Sequence, residues 1–100
     1  MPDPNQPEII RHNGESFVSI YANNLQLEAT PWDFRFYFGE IERAEPDATG
    51  QRLVKIYVED KVKIVMSPQH AKAMLKVLQQ NVSSYESQIG PIPSQPEPKP

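Results

Sequence analysis

Apolar and polar residues alternate through most of the first two-thirds of this chain, and the period changes near residue 67. In "ESFVSIYA", Val18, Ile20 and Ala22 oppose Phe17, Ser19 and Tyr21, the period-two pattern of a half-buried strand. Asn23 and Asn24 follow, a pair that tolerates turn and bulge geometry. "LQLEA" then sets Leu25, Leu27 and Ala29 against Gln26 and Glu28. Residues 17–29 therefore read either as a hairpin or as one bulged strand. After Thr30-Pro31, "WDFRFYFGEIER" gives the clearest strand, with Phe34, Phe36 and Phe38 on one face and Arg35 and Tyr37 on the other. Gly39 marks a bulge or a close backbone approach. "AEPDATGQ" reads as a loop broken by Pro46 and Gly50. "LVKIYV" and "VKIVM" flank Glu59-Asp60, which reads as a tight turn, so the pair predicts a hairpin.

From Ser67 onward the apolar positions recur at threes and fours. Ala71, Leu75, Leu78, Val82, Tyr85 and Ile89 form one stripe, flanked by Met74 and Val77. Ser67 is a good N-cap, and Pro68 suits the first helical position, where its missing N–H is no loss. Gly90 and Pro91 stop the helix. The predicted fold is α+β: a curved antiparallel sheet of about four or five strands, covered on one face by a long C-terminal helix. Leu78, at mid-stripe, is expected to face the phenylalanine row and to be among the most damaging positions to truncate.

Composition sharpens this picture. Prolines crowd both ends of the 100-residue chain, which predicts a disordered arm over residues 1–14, one domain over 15–90 and a disordered tail over 91–100. So small a domain leaves much apolar surface in water. The chain has no cysteine and two histidines far apart, so disulfides and thiolate metal sites are excluded and a dedicated metal site is not expected. Self-association, as a homodimer or a larger oligomer, is the remaining way to complete a core. The polar N-terminus lacks a charged-then-apolar pattern and no apolar run approaches the roughly 20 residues of a membrane span, so a cytoplasmic location is expected.

The stretches "YAN", "PWDFRFYFGEI" and "MSPQHAKAMLKVLQQNVSSYESQIGPIP", in this order from about residue 17 to 93, resemble the prokaryotic family catalogued as domain of unknown function 3467. Members are short, mostly bacterial or archaeal proteins, and the resemblance implies no activity. In architecture alone, a curved antiparallel sheet followed by a long helix is similar to the export chaperone SecB.

Candidate chemistry is sparse. His70 could act as a general base with Asp33 or Glu86, but nothing in the sequence brings these together, and a packing or capping role is expected instead. Trp32, Asp33 and Phe34 are expected to anchor the core and the Pro31 turn, with Asp33 bonded to turn backbone. Glu40, Glu42, Glu45 and Asp47 lack the spacing and glycine of a calcium loop and read as solvated acids. Glu86 sits against the helix dipole and is expected to be held by a lysine or a backbone N–H. By alternation, Tyr21, Arg35, Tyr37, Lys55, Tyr57 and Lys63 collect on the outward sheet face. That face reads as a subunit interface, a solvated face or a single-stranded nucleic-acid surface. The net charge of −3 counts against the last. No phosphate loop or nucleophile motif appears, so no enzymatic activity and no cofactor are expected. The expected function is a small non-catalytic interaction module, adaptor or chaperone-like, with nucleic-acid binding through the tyrosine–base face as the alternative.

Overall fold

The computed structural model describes residues 4–94, so the first three residues and the last six of the expected proline-rich ends lie outside the described residues. The chain is α+β. Strands β1 (Asn24–Ala29), β2 (Phe34–Pro46) and β3 (Leu53–Met66) form an antiparallel sheet in the order β1-β2-β3, followed by helix α1 (Pro68–Gln88).

The sheet has three strands, not four or five, for two reasons. Residues 17–22 have no strand partner among the described residues. Residues 53–66 are one strand rather than a hairpin, because β2 is long enough to pair with all of it; Glu59 and Asp60 lie opposite Glu40 and Gly39 inside the ladder. The reversal occurs at residues 47–52 instead. There the Asp47 Oδ1 accepts from the Thr49 N–H (3.0 Å), the Thr49 hydroxyl (2.7 Å) and the Gln51 N–H (3.3 Å), and Gly50 adopts φ +73°. The Thr49 hydroxyl bond, ahead of the backbone N–H bonds, holds the Asp47 carboxyl below its ordinary 3.8. A lowered folded pKa means that this support is present above the ordinary carboxylate range and is lost as pH falls through the lowered value.

The turn between β1 and β2 is built by Thr30. Its hydroxyl oxygen accepts from the N–H groups of Trp32 (3.2 Å) and Asp33 (3.0 Å) and donates to Asp33 Oδ1 (2.8 Å). The threonine, not the Asp33 carboxylate, bonds the turn backbone. So tight a turn leaves Trp32 outside: it is 81% exposed and anchors no core.

Irregularities in the β2–β3 ladder decide which side chains share a face. Phe38 faces Val62 and Gly39 faces Asp60, so Lys61 is an extra residue in β3. Ile41 faces Val58 and Arg43 faces Tyr57, so Glu42 is an extra residue in β2. Directly opposed residues lie on the same side of a sheet. Before the first bulge, Phe34, Phe36 and Phe38 share one face with Val62, Ile64 and Met66. Beyond it the apolar side switches: Ile41 and Val58, then Ala44 and Ile56, lie on the other face. Gly39 sits at the crossover with no room for a side chain, since a Cβ there would stand 2.5 Å from the Glu59 carbonyl oxygen. Lys61 is tied to Glu40 at 2.7 Å, and that bond raises its pKa above the ordinary 10.5.

The helix follows its sequence signals closely. The Ser67 hydroxyl oxygen accepts from the His70 N–H at 3.1 Å, Pro68 opens the first turn, and Ile89 closes the last by donating to the Tyr85 carbonyl. Gly90 follows at φ +145°, and Glu86 Oε2 accepts from the Ile92 N–H at 2.9 Å, the backbone partner expected for it. The helix does not cover the sheet along its length. Among the described residues only Phe36 (5% exposed) and Ala71 (7%) are buried apolar side chains, and past Met74 every helical residue is exposed. Leu78, placed by its spacing in the middle of the core, is 57% exposed in the single chain.

Candidate interaction face

The phenylalanine face is bordered at two ends and open between them. At one end the first turns of α1 and the sheet enclose an apolar groove of about 430 Å³, lined by Leu25, Leu27, Phe34, Phe36, Leu75 and Leu78. Within the face, the Phe36 and Phe38 rings stack at 6.2 Å, and Phe34 lies 6.5 Å from Phe36. At the other end Val18, Ile20 and Ala22 border a hollow of about 420 Å³ with Phe38, Val62 and Ile64. Further along the helix, Val82 and Tyr85 extend the apolar stripe into solvent.

Two bulk quantities express the same openness. The radius of gyration is 18.6 Å, against about 13 Å for a compact 100-residue domain. The accessible surface is 9443 Å², against roughly 5,800 Å² for a folded monomer of this mass. The bared sheet face and helix stripe contribute to both.

The structure divides the six residues grouped by alternation. Arg35, Tyr37 and Lys63 lie on the sheet face opposite the phenylalanines, with the Lys63 ammonium 5.2 Å from the Tyr37 ring centre and Arg35 held to Asp33 at 3.2 Å. Lys55 and Tyr57 fall on the phenylalanine side, because the Lys61 bulge inverts the alternation between them and Lys63. There the Arg43 guanidinium stacks 4.0 Å over the Tyr57 ring and bonds Glu45 at 3.1 Å. Tyr21 belongs to the unpaired segment 17–22 and is exposed. One continuous tyrosine–base surface is therefore absent from the described residues.

The open apolar groove was not foreseen, although every residue lining it carries a strand or helix period. The helix stripe runs past the part of the sheet it meets, since every helical residue beyond Met74 is exposed.

No described acid, base or nucleophile is gathered into a reactive group. His70 is exposed, Asp33 is engaged by Thr30 and Arg35, and Glu86 is about 24 Å further along the helix at 1.5 Å per residue. Among the described residues no cluster of three or more metal-ligating side chains occurs. Glu40 and Glu45 are paired with Lys61 and Arg43. His70→Ala is expected to change stability by less than about 1 kcal/mol, because the capping bond uses its backbone N–H and not its imidazole. Urea melts of both proteins at one concentration check this.

No helix among the described residues is long and apolar enough to cross a membrane. No curated protein and no solved structure matches the chain. The sequence profile of one family, described as Protein of unknown function (DUF3467), matches residues 2–94, nearly the whole length. With that coverage, and with the strand, turn and helix motifs in place, the chain belongs to the DUF3467 family.

Proposed function

We propose that this chain is a small non-catalytic interaction module that works as a homo-oligomer, with the phenylalanine face and helix stripe of one copy covering those of another. The observation that carries this reading is the size of the core: among the described residues one phenylalanine and one alanine are the buried apolar side chains, while more than twenty large apolar side chains are exposed. Full burial of a leucine or phenylalanine is worth about 1.5–3 kcal/mol. A chain that leaves Leu25, Leu27, Leu75 and Leu78 half in water forgoes several such contributions. It also holds a two-stranded ribbon, Ile41–Pro46 against 53–58, that is marginal without further packing. A second copy supplies apolar surface for both.

Within such an assembly the opposite face, with Arg35, Tyr37 and Lys63, stays available to other proteins, which suits an adaptor or chaperone-like role in the cytoplasm. The nucleic-acid alternative loses support from the separation of Lys55 and Tyr57 from Tyr37 and Lys63. Molar mass measured by sedimentation across a concentration series tests the proposal: assembly supports it, and a monomer at the highest soluble concentration counts against it.

A further inference from the structure

Segment 17–22 is a strand in sequence without a strand's partner. It carries no helix, turn or strand assignment, alternates as Val18, Ile20 and Ala22 against Phe17, Ser19 and Tyr21, and exposes Phe17, Val18, Ile20 and Tyr21. Among the described residues its only backbone–backbone bond is from the Phe17 N–H to the Gly14 carbonyl, so the N–H groups from Val18 to Ala22 have no backbone acceptor there. Resting on the self-association proposed above, we infer that segment 17–22 of one copy adds as a fourth strand to the outer edge of β1 in a second copy.

The edge is chosen by elimination and by fit. The outer edge of β3 is interrupted by the Lys61 bulge and a second irregularity near Val54, and it carries Lys55, Lys61 and Lys63, features that discourage strand addition. The outer edge of β1 has none of these. Its register with β2 runs unbroken from Asn24 to Ala29, six residues that match the six of the segment. The Thr30 N–H donates to the Asp33 carbonyl, one step beyond the Ala29–Phe34 pair, so strand alternation turns the N–H groups of Leu25, Leu27 and Ala29 outward. Addition there sets Val18, Ile20 and Ala22 beside Leu25, Leu27 and Ala29 on the groove side, and Ser19 and Tyr21 beside Gln26 and Glu28. This is strand addition with the backbone supplying affinity and alternate side chains supplying fit.

The pairing is made between copies because Asn23 blocks it within one. Its N–H donates to the Gly39 carbonyl (3.0 Å), and its Oδ1 accepts from the Ile41 N–H (2.9 Å). Folding the segment back onto its own β1 requires a turn through Asn23 and breaks both bonds. Held by β2, Asn23 sends the segment away from β1 toward the Phe38, Val62 and Ile64 end of the sheet.

Amide hydrogen exchange on the full chain, read at low and high concentration beside light scattering, tests the inference. The amides of Val18, Ile20 and Ala22 and the outward amides of Leu25, Leu27 and Ala29 are expected to slow by at least about tenfold on assembly and to lose that protection together on dilution, while Ser19 and Tyr21, on the new outer edge, stay fast. Assembly with Val18, Ile20 and Ala22 still exchanging freely overturns strand addition and leaves self-association standing. Equal protection at both concentrations shows pairing within one chain and also overturns it. A monomer at every concentration removes both proposals.

Discussion

Gly39→Ala is expected to destabilise the protein by about 3 kcal/mol, at the upper end of what overpacking a filled site costs. The new Cβ meets the Glu59 carbonyl oxygen at 2.5 Å, Val58 Cγ1 at 3.0 Å and Asp60 Oδ1 at 3.1 Å. A side chain could swing aside, but the carbonyl belongs to the strand at the Lys61 bulge and moves only if the ladder moves. The reason is steric: positive φ is confined among the described residues to Gly50 and Gly90. The same crossover switches the apolar side of the sheet, so displacing it disturbs both halves. Urea melts at one fixed protein concentration give the value. A variant that melts with the parent would place β3 further from β2 at this point than described here.

The second large effect concerns assembly. Leu75→Glu with Leu78→Glu is expected to raise the dissociation constant of self-association at least about a hundredfold, which corresponds to about 2.7 kcal/mol. In the single chain these leucines are 53% and 57% exposed, and glutamate is as good a helix former as leucine, so the helix itself survives the change. Against a second copy, the carboxylates must be desolvated without a cation opposite, or the interface must open. Helix content by circular dichroism should therefore hold while assembly is lost. A double variant that associates like the parent would remove the helix stripe from the interface. Leu78→Ala, which the sequence pattern places among the most damaging core truncations, becomes on this account a concentration-dependent defect.

Local signals carried the parts of the fold that depend on a few neighbouring residues. Ser67 and Pro68 start the helix and Gly90 follows its end, as their chemistry requires, and the Phe34–Phe36–Phe38 row shares one face. Gly39 was legible as a bulge or a close approach; it is the close approach, and the extra residue is Lys61 on the strand opposite. What failed depends on pairing. The even positions from Val54 to Met66, broken only by Asp60, keep one period, so the inversion at Lys61 leaves no mark on alternation; Glu59-Asp60 imitates a turn because charges interrupt the apolar run. That hidden inversion placed Lys55 and Tyr57 on the wrong face. Residues 17–22 have strand composition, but composition cannot say which edge a strand joins. Trp32 shows a related limit: aromatic burial is a tendency, and the Thr30 turn overrides it. For the candidate site, each lining residue was visible as apolar, whereas how far the helix stays against the sheet is a tertiary property that no periodicity encodes.

On the proposed reading, one chain carries only part of a core and a second copy completes it. Sedimentation equilibrium of the full chain over a wide concentration range tests this most directly, since it yields mass without dependence on shape. The account predicts a mass of at least twice 11.4 kDa at micromolar concentration, falling toward 11.4 kDa only on dilution and with loss of stability. A mass of 11.4 kDa at the highest soluble concentration, together with a cooperative melt that does not depend on concentration, would contradict it.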